Sequence, residues 1–311
     1  MAANGPRTQH LPLGTRLRRC VGGISTVLGF AARGFYIPLR GAGEVSPINY
    51  PHIEAALRLR ETSFRDALAG IDRHAAALMA TAEGSPSSGV RPASPDSGDR
   101  PASPAGPRFD QDWFPRLDAA LAYSFVREFM PRRIVEIGSG HSTRFMARAI
   151  RDQGLSTRLT AIDPAPRARL NGLKIEHLQA PVQTLGVEPF AALAAGDFVF
   201  IDSSHVLMPG TDVDFLLNIV LPMLPAGVLV HFHDIFLPDA YPDDWQWRGY
   251  NEQNAVAMLV LSPAYEVVAA SRYMVAYLGR EIAASTVGTL PLRAGASETS
   301  LWLRKIASPP T

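Results

Sequence analysis

Two short runs hold much of the chain's candidate chemistry. FIDSSH, ending at His205, and HFHDIF, from His231 to Phe236, place Asp202, His205, His233 and Asp234 at the ends of apolar, strand-like segments. An imidazole with an ordinary pKa near 6.5 can accept a proton at neutral pH. Held beside a hydroxyl, such a base removes the proton as the oxygen attacks. Two carboxylates on adjacent strand ends are costly to keep together unless a cation lies between them. His231 belongs mid-strand in an apolar run and reads as a core histidine.

A third run offers a place for a ligand. In RRIVEIGSGHSTRFMARAI, Arg132 to Ile150, Gly138 and Gly140 follow an apolar strand and precede an amphipathic helix. Missing side chains let a ligand approach the backbone, and the free N–H groups of a helix start favour an anionic group. Ser142 is placed to cap that helix. The three-glycine dinucleotide fingerprint would need glycine at position 143, where the chain has Thr143. Two acids accompany the loop: Glu136, two residues ahead of Gly138, and Asp163, which closes the run LTAID 25 residues beyond it. An acid at the end of the second strand can accept hydrogen bonds from both hydroxyls of a ribose.

These residues need a frame that gathers strand ends. The pattern predicts a helix over Leu117 to Phe129, a strand over Arg133 to Ile137, a helix over Ser142 to Asp152 and a strand over Arg158 to Ile162. Further strands are expected at Lys174 to His177, Asp197 to Asp202, Gly227 to His233, Tyr265 to Ser271 and Ser300 to Ile306. The runs FVFI and VLVHF do not alternate, as expected of parallel strands covered on both faces. Strand, helix, strand in repetition implies an α/β, doubly wound, Rossmann-like fold with a mostly parallel seven-stranded sheet. Ligands of such sheets bind beyond the carboxyl ends of the strands.

With VEIGSG as the glycine motif and AIDP as the ribose acid, the sequence resembles the class I methyltransferases that use S-adenosylmethionine. It looks most like a bacterial branch whose strand ends read FIDSSH and HFHDIF, and the resemblance covers roughly Phe109 to Lys305. It implies that Gly138, Ser139, Gly140 and His141 pass close to the methionine end of the cofactor. Glu136 then supports the loop or reaches the amino group, Asp163 holds the ribose, and Asp202 lies beside the sulfonium. After the third strand the chain reads HLQAPVQ, without the acid that many relatives place near the adenine. For methyl transfer to a hydroxyl, His205 is the first candidate base and His233 the second. Some relatives also hold a divalent cation with an acid after the fourth strand and an acidic pair after the fifth. Asp202 and Asp234 match two of those positions, while His233 replaces a carboxylate, which suits Mn²⁺, Fe²⁺ or Zn²⁺ better than Mg²⁺. A direct histidine base and a metal-assisted site, with Asp202, His233 and Asp234 as ligands, both stand at this point.

The acceptor is expected to meet the long connection LPDAYPDDWQWRGYNEQNAVAML, Leu237 to Leu259, which sets Tyr241, Trp245, Tyr250, Asn251 and Glu252 among further acids. Aromatic faces beside carboxylates and amides hold polar rings such as sugars or phenols, so the expected acceptor is a small-molecule or glycan hydroxyl. Asn251 is also placed to cap the following helix. Alternative functions are an N-methyltransferase, an NAD-type oxidoreductase with an altered third glycine, or a non-catalytic nucleoside-binding module acting through N-terminal helices.

The bulk of the chain sets the remaining expectations. Its 311 residues carry 30 Lys and Arg against 29 Asp and Glu, so overall charge gives no reason to expect nucleic acid as partner. The single cysteine, Cys20, excludes an internal disulfide framework and suits a reducing, cytoplasmic setting. No run reaches the roughly 20 apolar residues of a membrane span. The nearest candidate, RLRRCVGGISTVLGFAARGF, Arg16 to Phe35, can be read as a signal peptide or a membrane-surface helix, and a peripheral or packed segment is expected over export. Residues 1–83 are expected to form an N-terminal helical appendage, 84–107 a flexible linker rich in Pro, Ser and Gly, and 108–311 the catalytic domain. The linker's composition cannot bury enough apolar surface to offset its ordering entropy. Limited proteolysis should therefore cut between about Gly84 and Arg108, and protection of that stretch while other exposed loops are digested would move the boundary. A homo-oligomer is compatible with this organisation.

Overall fold

A computed structural model describes residues 13–30, 48–83, 106–166 and 168–308, so most of the expected linker lies outside the described residues. The chain divides into two compact units, Met1–Ile48 with Tyr241–Gly249, and Asn49–Ala240 with Tyr250–Thr311. In the smaller unit the described elements are α1 (Leu13–Val27) and a short 3₁₀ helix, Asp243–Arg248.

The larger unit begins with three helices, α2 (Pro51–Arg58), α3 (Glu61–Asp72) and α4 (Ala75–Glu83). There follow α5 (Arg116–Phe129), β1 (Arg133–Ile137), α6 (His141–Gln153), β2 (Arg158–Ile162), β3 (Glu176–Leu178), β4 (Phe198–Ile201) and β5 (Leu229–Phe232). Then come α7 (Glu252–Leu261), β6 (Tyr265–Ala270), α8 (Ser271–Tyr277) and β7 (Leu301–Lys305). The seven strands lie in the order β3-β2-β1-β4-β5-β7-β6. The first five run parallel, and β7 is antiparallel to both of its neighbours.

Burial explains the pattern. Every residue of β4 and β5 is buried, so neither strand has a solvent face on which polar residues could alternate. Helix α6 ends at Gly154, whose backbone is left-handed at φ 67°, a conformation that costs glycine little. The sheet order reverses between β1 and β4, the two strands whose ends carry the glycine loop and Asp202. The ligand crevice of a doubly wound sheet opens at such a reversal.

Helices α2 to α4, expected as part of a separate appendage, share the sheet's core. Ile53, Leu57, Phe64, Leu68, Ile71 and Leu78 are buried in the same cluster as the sheet residues. Helix α3 is fastened to β6: Ser63 Oγ donates to the Val268 carbonyl at 3.0 Å, and the Arg60 side chain donates to the Val267 carbonyl and pairs with Glu266. Among the described residues no helix is long and apolar enough to cross a membrane.

Candidate active site

The crevice is assembled from backbone outward. The Asp202 amide donates to Ile137 O at 2.9 Å, Gly138 N to Ile162 O at 3.0 Å, and His233 N to Ile201 O at 2.9 Å. These bonds lock the ends of β1, β2, β4 and β5 in register. Gly138 sits at φ 78°, and a Cβ there would lie 1.9 Å from the Asp202 carbonyl oxygen. Glycine is thus demanded by the neighbouring strand end itself, a cause distinct from the ligand approach to which the sequence pattern points.

Around the loop, each polar residue has a task. The Glu136 carboxylate is fully buried and accepts from Ser142 Oγ at 2.6 Å, while its Oε2 is buried with no hydrogen-bond partner. Burial, reinforced by the nearby charges of Asp202 and Asp163, pushes its pKa up to about 8 against the hydrogen bonds from Ser142 and Thr143. Ser142 is therefore not the cap. Thr143 Oγ1 accepts from Gly140 N at 2.9 Å and closes the helix start, in the position where a dinucleotide fingerprint needs a bare glycine. Asp163 accepts from Ser139 N at 2.7 Å, Ser139 Oγ at 2.8 Å and Ala165 N at 2.8 Å, so it shapes the loop. His141 Nδ1 is buried and unpartnered, and its pKa is pushed down to about 3 by burial and by the charges of Arg108 and Arg144. This imidazole is neutral at physiological pH.

At the other side of the crevice four acids surround two imidazoles. His205 is almost fully buried, with Nδ1 2.9 Å from Glu252 Oε2 and Nε2 3.3 Å from Asp202 Oδ1 and 3.4 Å from Asp234 Oδ2. Burial opposes its charge, but the bonds to Asp202 and Glu252 and the charge of Asp234 prevail and raise its pKa well above the ordinary value. His233 has Nδ1 3.3 Å from Asp234 Oδ1 and 3.7 Å from Asp202 Oδ1, with Nε2 3.4 Å from Asp118 Oδ2. Burial again opposes the charge, and Asp234, Asp202 and Asp118 bring the pKa to about 9. These acids bias His205, the first base candidate from sequence, and His233 toward their protonated forms.

His205 (φ 59°) and Asp234 (φ 55°) both adopt left-handed backbone, at which His and Asp are tolerated better than most side chains. Asp202, His233 and Asp234 each offer a ligand atom within 4.8 Å of the others, a group that could hold a metal ion. His231 is a core residue, stacked on Phe200 at 3.7 Å between ring centroids and bonded to Ser300 Oγ at 2.8 Å.

The expected acceptor residues separate into distinct roles. Glu252 is a buried partner of His205, and its own pKa is raised by burial against the opposing pull of that histidine. Asn251 stands at the N-cap position of α7 without capping it; its side chain accepts from Leu207 N at 2.6 Å and its amide donates to His205 O at 3.0 Å. Tyr250 packs its ring against His205 at 4.6 Å between centroids. Tyr241 and Trp245 belong to the smaller unit, where the Arg248 guanidinium lies 3.7 Å over the Trp245 ring. Asp118, absent from the sequence-derived site, is fully buried on α5, accepts from Thr299 N at 2.9 Å and Ser300 N at 3.0 Å, and reaches His233.

The family described as Methyltransferase domain matches residues 135–235, a span from β1 through Asp234 to the residue after it. Over residues 135–235 the chain is thus similar to that methyltransferase family. No curated protein matches the chain. Among solved structures, the methyltransferase PaMTH1 from Podospora anserina, bound to S-adenosylhomocysteine, is 17% identical with a TM-score of 0.39, covering 88% of this chain and 100% of its own. An O-methyltransferase from Bacillus cereus, also in complex with S-adenosylhomocysteine, is 14% identical with a TM-score of 0.34 and covers 80% of this chain and 88% of its own.

Proposed function

We propose that the methyltransferase domain carries a methyl group from S-adenosylmethionine to a hydroxyl of a small molecule or glycan, with a divalent cation at Asp202, His233 and Asp234. The observation that carries the reading is the unpartnered Oε2 of Glu136. A buried carboxyl lacking one partner, beside a glycine loop at the sheet reversal, suits the ammonium group of an amino-acid-bearing cofactor. The loop backbone from Gly138 to Gly140 and Asp163, which has lone pairs beyond those its three donors use, would complete the hold on methionine end and ribose. Bound there, S-adenosylmethionine supplies an electrophilic methyl on a sulfonium.

The chain's own residues do the rest. Asp202 is the most open acid of the cluster, its side chain 21% exposed, and sits against the glycine loop through the Gly138 contact. It can orient an acceptor hydroxyl and receive its proton. A cation held by Asp202, His233 and Asp234 would make that hydroxyl more acidic. His205, protonated and fixed by Glu252, holds Asp202 and Asp234 in place and supplies a positive charge near the acceptor oxygen. Methyl transfer needs little covalent help, so fixing the oxygen in line with the methyl is the main contribution of such a site.

Calorimetry tests the cofactor arm. S-adenosylhomocysteine should bind with micromolar affinity, about −7 to −8 kcal/mol, and Asp163→Ala should weaken it by roughly 1.5–3 kcal/mol. Because Glu136 is protonated below about pH 8, binding an ammonium beside it should release a proton at pH 7, giving an apparent enthalpy that changes with the buffer. Loss of that buffer dependence is expected in Glu136→Gln. Unchanged affinity in Asp163→Ala, or tighter binding of NAD than of S-adenosylhomocysteine, would overturn the assignment.

A further inference from the structure

We infer that α1 is an interfacial helix that docks on an anionic lipid surface. At about 100° per residue, Leu13, Leu17, Val21, Ile24 and Val27 fall on one side of the helix, with Leu28 continuing the same row just past its end. All six are between 56% and 81% exposed, an apolar stripe with no cover among the described residues of its own unit. Cys20 lies in the same arc and is also exposed. Arg16, Arg18 and Arg19 occupy positions outside the stripe, as do Ser25 and Thr26.

Charge decides between possible covers. The first 43 residues contain six arginines and no Asp, Glu or Lys, which leaves 24 basic against 29 acidic residues in the remainder of the chain. A near-neutral total therefore conceals a strongly basic N-terminal stretch and an acidic body. A second copy of the chain, or a neutral apolar groove, would bury the stripe but would not require this bias. Nucleic acid would use the arginines and leave the leucines in water. A bilayer with anionic headgroups satisfies both features at once: apolar side chains enter the acyl boundary while arginines at the flanks stay at headgroup level. Gly22 and Gly23 weaken the isolated helix, so its formation is favoured by burial of the stripe. At 15 residues with three arginines the helix lies on a membrane and does not span it.

The test uses the full chain, labelled at its single cysteine, Cys20, with an environment-sensitive fluorophore. With vesicles of phosphatidylcholine containing a quarter phosphatidylglycerol, the expected results are co-sedimentation and a blue-shifted emission. Pure phosphatidylcholine and high salt should each reduce both signals. Leu17→Asp combined with Ile24→Asp should weaken binding at least about tenfold, and Arg18→Glu about fivefold. Thermal midpoint and S-adenosylhomocysteine affinity should stay unchanged in these variants, which keeps a folding defect, or a failure of the methyltransferase reading, distinguishable from loss of lipid binding. Absence of binding to anionic vesicles would overturn the inference. So would binding that survives the Leu17 and Ile24 changes, or a blue shift that grows with protein concentration without vesicles, which would identify a second copy as the cover.

Discussion

His205→Ala should lower the unfolding free energy by about 3–5 kcal/mol, the cost of leaving buried carboxylates without their counter-charge. Glu252 is the acid most exposed to this loss in energy, because it is buried and His205 is its partner at 2.9 Å. In a domain of this size the drop should appear as a thermal midpoint lowered by roughly 10 °C, and adding Glu252→Gln to the same chain should recover part of it. The pH dependence follows from the direction of each shift. His205 and His233 have folded pKa values above the ordinary 6.5, so their contribution is complete below that pH and is lost as pH rises through the folded values, about 9 for His233. Glu136 and Glu252 are raised from 4.5, to about 8 for Glu136, and act in the same sense, since the folded state holds their protons more tightly than the unfolded chain does. Metal-free protein should therefore melt higher at pH 6 than at pH 9, with a shallower slope in His205→Ala. An unchanged midpoint in that variant, or a flat pH profile, would show that the cluster is solvated.

Chelation is expected to have the largest effect on turnover. If Asp202, His233 and Asp234 hold a cation that acidifies the acceptor, EDTA should abolish methyl transfer, and Asp202→Ala or Asp234→Ala should each cost several kcal/mol of transition-state stabilisation, roughly 10²–10³-fold in kcat/KM. With an imidazole in the donor set, Mn²⁺ or Zn²⁺ should restore more activity than Mg²⁺. Asp118 gives an independent check. It anchors His233 through Nε2, so Asp118→Asn should weaken metal affinity by about 10–100-fold while sparing S-adenosylhomocysteine binding. The competing outcome is full activity in EDTA with no metal found by elemental analysis. A histidine base would then be required, and His205→Ala should lose about 10²–10⁴-fold when assayed at a temperature where it remains folded.

The frame was legible because burial on both faces writes itself into composition. Strands β1 and β2 begin and end where the apolar runs do, and the other strands fall within two residues of expectation. The antiparallel direction of β7 was not legible: a short, mostly buried run reads the same in either direction. The crevice was half legible. The glycine loop and strand-end residues announce themselves by type and offset, so Glu136, Asp163, Asp202 and His233 could be named. Their partners could not. Asp118 sits in an apolar helix over a hundred residues before His233, and its only signal is a lone acid within LDAALAYSFV. Glu252 is named from sequence only as an acceptor contact, and its place against His205 appears with the fold. The sign of the histidine shifts follows from those partners, which the sequence alone does not bring together.

The fastening of α3 to β6 has a consequence for how this protein avoids sticking to itself. β6 is the last strand of the sheet, and an unguarded last strand offers its peptide groups to any other chain in the solution. Here Arg60 and Ser63 occupy carbonyls of Val267 and Val268 while the helix above covers the strand's apolar side chains. The opposite border ends in β3, only three residues long with Glu176 at its start, a poor template for growth. A version trimmed to begin at Phe109 would keep every residue of the crevice yet expose one long, hydrophobic sheet border. Such a protein is prone to aggregation before catalysis enters the question, so the helices before the expected linker act as a guard rail for solubility as much as a part of the core.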